Sequence, residues 1–290
     1  MKTQPPCRAC FARQARHAAQ LATPDPGLRE ELVRQADLLL AGLDPEASPP
    51  VNSIALYQLI SRLSGHPDPF VRLKRQGNDL ARRIAPSVRA MIAASADPLA
   101  AALRFALAGN IIDYGAQQDF DLDAALEGCL KRQPAIDHYP LLRQELARAR
   151  QVLYLADNCG EIVFDGLLID QLPAETEVIL VVKGGPIIND ATRADAISCG
   201  LDRRCRVIDN GTQCPGTPLD RCPQEFVRLF YEAEVVISKG QGNFETLSEG
   251  TKRTVYHLLT VKCPVVGEHV REVSGQRVEI GLGATVVLRL

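Results

Sequence analysis

Four stretches of this 290-residue sequence bring together residue types that do chemistry. They are Asp157-Asn158-Cys159-Gly160-Glu161, Lys183-Gly184-Gly185-Pro186-Ile187-Ile188-Asn189-Asp190, Asp209-Asn210-Gly211 and Ser238-Lys239-Gly240-Gln241-Gly242-Asn243-Phe244-Glu245. Two carboxylates, Asp157 and Asp190, and two amides, Asn158 and Asn189, are hard oxygen donors of the kind that Mg²⁺ or Mn²⁺ takes. Lys239 stands with Gly240 and Gly242 directly before a helical pattern that begins near Phe244. Glycines let backbone N–H groups approach an anion, a helix start adds partial positive charge, and the lysine adds a full one. A metal beside a phosphate cradle points to phosphoryl chemistry. Each stretch alone also has a plainer use. Thr192 with Asp195 fits a capping box, Asp209-Asn210-Gly211 reads as a turn, and GQG lacks the spacing of GxGxxG.

What unites the four stretches is the element ahead of each. Short β-branched or apolar runs fall at 152–156, 178–182, 206–208 and 235–237. The second is apolar throughout, which suits a strand buried on both faces of a parallel sheet. Helical spacing lies between them, as in Phe164, Leu168 and Leu172. Strand alternating with helix predicts a doubly wound α/β layer. In such a sheet the four turns gather at the carboxyl ends of the strands, where open α/β sheets bind ligands. Strand-like runs also occupy 256–266 and 284–290.

Residues 1–150 read differently. Leu32, Ala36, Leu39, Leu40 and Leu43 recur at helical spacing, and proline-bearing breakers separate the segments. Asn52 or Ser53 is expected to cap the helix of Leu56, Leu59, Ile60 and Leu63. Pro86 is expected to kink or restart the pattern from Phe70 to Ala94. No β-alternation appears in this half. The expected division is therefore a helical domain at 1–150 and an α/β domain at 151–290.

Composition narrows the function classes. Hydrophobic residues make up 46% and charged residues 23%, with a formal charge of −2, as in a soluble globular protein. No global basic field exists to hold nucleic acid or an anionic membrane. No run of 18 apolar residues is present. Nine cysteines without a signal-peptide pattern predict free thiols in a reducing cytoplasm. Cys7 and Cys10 form a lone CxxC; Cys205, Cys214 and Cys222 could in principle complete a zinc site with it, but at loose spacing, and the plainer reading is small half-buried thiols. The CxxC is expected to serve helical packing, away from the strand-end cluster.

DNCGEIVFD, KGGPIINDAT and SKGQGNFETLSE together resemble the three central motifs of the DUF89 proteins, also called damage-control phosphatases or the ARMT1-like family. CRAC at the start, DPFVRLKRQGN, GNIIDYG and the later Val261-Lys262-Cys263 run agree, so the resemblance spans nearly the whole chain. The CxxC is similar to that of the compact prokaryotic subgroup. The resemblance implies a helical domain packed on a three-layer α/β/α Rossmann-like domain with a mainly parallel sheet. It implies a divalent metal (Mn²⁺, Co²⁺, Ni²⁺ or Mg²⁺) held by Asp157, Asn158 and Asp190. It places Lys239, Gly240 and Asn243 on the phosphate side, and Asn110 and Asp113 in a helical-domain motif facing the same cleft. Glu161 reads as a base, a supporting group or a helix cap. The attacking group is a water or one of the aspartates.

The implied activity is metal-dependent hydrolysis of small phosphorylated metabolites, such as sugar or cofactor phosphates, damaged ones included. The implied partner is a small phosphate ester, not nucleic acid or a membrane, and the sequence leaves the oligomeric state open. Two alternatives are an S-adenosylmethionine-dependent methyltransferase and a non-catalytic phosphometabolite binder. The first needs a glycine-rich turn after the first strand, where DNCGE stands instead. The second has little need of the Asp-Asn-Asp set.

Overall fold

The computed structural model describes residues 1–108 and 122–290. Asn110 and Asp113 lie outside the described residues. Among the described residues six helices come first: α1 (Pro5–Ala22), α2 (Pro26–Leu40), α3 (Pro49–Ser64), α4 (Val71–Ala94), α5 (Pro98–Leu107) and α6 (Leu122–Lys131). Proline at the first turn starts α1, α2, α3 and α5, where its missing N–H costs nothing. The Asp25 and Asp97 side chains cap α2 and α5 by accepting from Gly27 N and Ala100 N.

Two expectations for this half give way. α3 begins at Pro49, ahead of Asn52 and Ser53. The Asn52 amide instead donates to Asp44 O and Thr3 Oγ1, and Ser53 Oγ donates to Pro50 O. α4 runs through Pro86 without restarting there, because its buried face of Ala81, Ile84, Val88 and Ile92 packs into the central core and outweighs one missing hydrogen bond.

The sheet then assembles. Strand β1 (Ile136–Asp137) precedes α7 (Tyr139–Leu146). After these come β2 (Gln151–Leu155), α8 (Glu161–Ile169), β3 (Glu177–Val182), α9 (Arg193–Ser198) and β4 (Arg206–Asp209). The chain finishes with α10 (Gln224–Glu232), β5 (Val235–Lys239), α11 (Gln241–Leu247), β6 (Tyr256–Thr260), α12 (Pro264–Ser274) and β7 (Thr285–Arg289). The strand order among the described residues is β1-β7-β6-β5-β2-β3-β4. β2 to β6 are mutually parallel, whereas β7 runs antiparallel to β6 and β1 parallel to β7. The mainly parallel α/β reading holds.

Three details differ from expectation. β1 is too short to show alternation. The run at 256–266 is a strand only to Thr260, because Cys263 is extended and Pro264 sets the first turn of α12. α8 ends at Ile169, so Leu172 packs on the core from beyond the helix.

Alternate strand residues feed two layers. Val152, Tyr154, Leu180 and Ile237 share a core with α4, α5 and α8, so this core spans the join between the two halves. Leu153, Leu155, Ile179 and Val236 pack under Phe226 and Phe230 of α10 and Leu247 of α11. α1, α2 and α3 have a separate core, which also takes Phe70 and, from far along the chain, Ile187. No described helix is long and apolar enough to cross a membrane.

Candidate active site

β2 has β3 on one side and β5 on the other, and the chain turns outward in opposite directions from it. This is the switch point at which an open α/β sheet leaves a crevice beyond its carboxyl ends. Asp157 follows β2, Lys239 ends β5, and both border one small cleft with Glu161, Gly240, Gln241 and Lys262. α11 starts at Gln241, three residues earlier than expected. Gly240 has φ +80°, and a Cβ there would overlap the Asp157 carboxylate. Only glycine allows the two strand ends to meet so closely.

The loop after β3 brings the second carboxylate. Cys159 N donates to Asn189 O at 2.8 Å and Ala191 N to Asp157 O at 2.8 Å, which sets Asn158 opposite Asp190. Ile187, 4% exposed, plugs the loop into the core of α1, α2 and α3. Ile188 has φ +37°, a costly conformation for a β-branched residue. Strain of that kind gathers at functional loops. On the other flank, Asn78 Oδ1 of α4 accepts from Gly160 N at 2.7 Å.

All four central groups are buried: Asp157 and Asn158 are each 7% exposed, and Asp190 and Lys239 each 1%. Burial pushes the Asp190 carboxyl well above the usual carboxylate range, and the charge of Asp157 adds to this against Lys183. Burial also raises Asp157, helped by the charge of Glu161 and opposed by Lys262, Lys183 and Lys239. Asp190 Oδ2 is buried and takes no hydrogen bond among the described residues; Lys183 Nζ stands 3.5 Å from it. Asn158 Nδ2 donates to Asp157 Oδ2 at 2.8 Å and to Glu161 Oε1 at 3.1 Å, so its carbonyl oxygen is the atom that could face a cation.

Two mutually repelling, desolvated carboxylates beside an amide oxygen fit a hard divalent cation. Among the described residues no group of three or more His, Cys, Asp or Glu side chains could hold a metal. The two carboxylates and the amide would therefore need solvent or substrate oxygens to complete a shell, as Mg²⁺-type sites commonly do.

Lys239 Nζ binds Asp165 Oδ1 at 2.7 Å and lies 3.6 Å from Glu161 Oε2. The Asn243 amide is committed within the protein. Its Nδ2 donates to Lys239 O at 2.8 Å and Ala156 O at 3.1 Å, and its Oδ1 accepts from Lys183 Nζ at 3.0 Å and Thr217 Oγ1 at 2.8 Å. Asn210 accepts from Thr212 N and Thr212 Oγ1, as a turn residue does.

Sequence reasoning missed Lys183, Asp165 and Asn78. Lys183 had a signal, since it stands in a glycine-bearing strand end. The CxxC lies nearer the site than its place in the chain suggests. The Cys7 thiol is pushed up by burial, and the charges of Glu245, Cys263 and Cys10 add to this. Glu245 itself sits in α11, where burial pushes it up to about 7.

The fold is an open, mainly parallel α/β sheet with acidic, amide and lysine side chains gathered beyond its central strand ends. The chain matches the damage-control phosphatase ARMT1-like domain over residues 3–278. It belongs to that family, the DUF89 proteins. A damage-control phosphatase of Pyrococcus horikoshii is 34% identical over 279 residues, covering 95% of this chain and 96% of the relative. One of Archaeoglobus fulgidus is 31% identical, covering 93% and 96%. The crystal structure of a DUF89 family protein from Pyrococcus horikoshii superposes with a TM-score of 0.90, covering 100% of this chain and 99% of that one. A mouse 4'-phosphopantetheine phosphatase is 29% identical over 151 residues, 45% of this chain and 18% of its own length.

Proposed function

We propose that the protein hydrolyses small phosphate monoesters with a divalent cation held by Asp157, Asp190 and the Asn158 carbonyl oxygen. The observation that carries this reading is the pair of desolvated carboxylates at the switch point, one with an unbonded oxygen, facing a buried lysine. A bound cation would act as a Lewis acid, neutralising charge on the phosphoryl oxygens. Lys239 and Lys262 border the same cleft as Asp157 and would bind the remaining oxygens. Glu161, bonded to Asn158 and close to Lys239, fixes that amide and is placed to move a proton.

Beside the Asp190 loop, a cleft of about 490 Å³ touches Cys159, Ile188 and Asn189. His17, Tyr57 and Phe70 form part of its wall. It has room for the organic part of a metabolite-sized ester. The phosphopantetheine phosphatase among the relatives adds phosphopantetheine to sugar and nucleotide phosphates as esters to test.

Phosphate release from such a panel tests the reading. Activity is expected to vanish in chelator and to return with Mn²⁺, Co²⁺, Ni²⁺ or Mg²⁺. Full activity of exhaustively metal-stripped protein would sink it.

Lys239→Ala tests the phosphate side. It is expected to lose about 2–4 kcal/mol in kcat/KM, as buried donors to developing charge do. It should also lower Tm, because Asp165 is left buried without its cation. Metal affinity should hold or rise, since a nearby positive charge is gone. Steady-state kinetics beside a metal titration reads both, and an unchanged kcat/KM would place Lys239 outside the phosphate site.

A further inference from the structure

Asp165 lies one turn after Glu161 on α8 and has no exposed surface. Its Oδ1 accepts from Tyr154 Oη of β2 at 2.7 Å and from Lys239 Nζ of β5 at 2.7 Å. Its Oδ2 is buried and takes no hydrogen bond among the described residues. Such a buried ion pair is a poor way to gain stability, because apolar side chains of similar volume commonly do as well or better. What the pair does fix is the place of an ammonium.

The alternative partner is close at hand. Glu161 Oε2 lies 3.6 Å from Lys239 Nζ, and Glu161 Oε1 accepts from Asn158 Nδ2 at 3.1 Å. A lysine without Asp165 would close on Glu161 and draw that carboxylate away from Asn158. The cleft would then lose both the lysine's position and the orientation of the amide.

We propose that Asp165 is a positioning residue for Lys239: it holds the ammonium at the floor of the cleft, so that Glu161 stays bonded to Asn158 and the Asn158 carbonyl oxygen stays presented to the cation. Tyr154 Oη donates to the same accepting oxygen and helps fix it. Burial alone would drive Lys239 towards its neutral form, and the charges of Asp165, Glu161 and Asp157 together keep it charged. The role rests on the phosphatase reading above.

The test compares Asp165→Asn, Lys239→Met and the double variant by kcat, KM, orthophosphate affinity and Tm. Asp165→Asn is expected to lose about 30-fold or more in kcat and about tenfold in orthophosphate affinity. In the Lys239→Met background the same change should cost less than about threefold, because nothing remains to be positioned. A packing role predicts the same factor in both backgrounds, and that result overturns the proposal. So does a folded Asp165→Asn protein with parental kcat and orthophosphate binding.

If a single variant is too unstable to assay, recovery of Tm in the charge-free double variant supports the pairing. A double variant no better folded overturns it. The Tm comparison needs no substrate. If the parent protein binds no orthophosphate and hydrolyses no ester, the phosphatase reading falls. Non-additive Tm changes would still support the Asp165–Lys239 coupling, and additive ones would end it.

Discussion

Asp190→Asn is expected to fold as well as the parent protein, or better, and to lose turnover by about a thousandfold, roughly 4 kcal/mol of barrier. The two effects have one cause. Asp190 is 1% exposed, and its carboxyl is pushed up by burial and by the neighbouring charge of Asp157. Without a cation, an ionised carboxylate there is a cost to the fold, so an amide of the same shape relieves it. Lys183 keeps Asn243 Oδ1 at 3.0 Å and Gly216 O at 3.2 Å as partners. With a cation the same carboxylate would become a ligand, and its removal would be felt in metal affinity and in kcat. Turnover at saturating Mn²⁺ and the Tm of metal-stripped protein read the two sides. Near-parental turnover would reduce Asp190 to a brace between loops.

Gly240→Ala is expected to lower metal affinity and kcat/KM by about 100-fold or more, although no functional group is removed. Its methyl would overlap the Asp157 carboxylate and displace it from the site. The backbone at φ +80° also resists a side chain, a strain of about 1–3 kcal/mol. Gly250 separates the two costs. It has nearly the same φ, +81°, with nothing near its absent Cβ. Gly250→Ala should therefore lose about 1 kcal/mol of stability and keep its activity. Equal losses in the two variants would mean that Gly240 matters only for its backbone, and that Asp157 can move without harm.

The central strands were legible because they are continuous apolar runs, and β2, β3 and β5 are buried nearly end to end. The gathering of Asp157, Asn158, Asp190 and Lys239 at the strand ends was legible too, since they stand in turns rich in glycine and amide. What stayed hidden depends on tertiary neighbours. Asp165 sits among apolar residues inside a helix, and only Lys239, 74 residues away, gives it a purpose. Asn78 is one polar residue on an amphipathic helix, until Gly160 arrives at its side chain. Pro86 looked like a break because local rules count the missing hydrogen bond and not the packed face. The CxxC seemed remote because distance along the chain is a poor guide to a helix that folds back towards α11.

The plug formed by Ile187 has a consequence for how the polypeptide matures. A ribosome releases the amino-terminal helices first. Their hydrophobic interior stays incomplete until residue 187 has emerged and docked into it. A reverse dependence follows too, because Asp190 N donates to Ile187 O at 3.1 Å, so the docked residue helps to hold the loop that bears the carboxylate. Asn78 must likewise wait for a partner 82 residues downstream. Neither half can finish folding ahead of the other, so the helices are no detachable cover over a ready-made catalytic layer. A nascent or nicked chain would carry both carboxylates yet lack the contacts that hold them together at the strand ends.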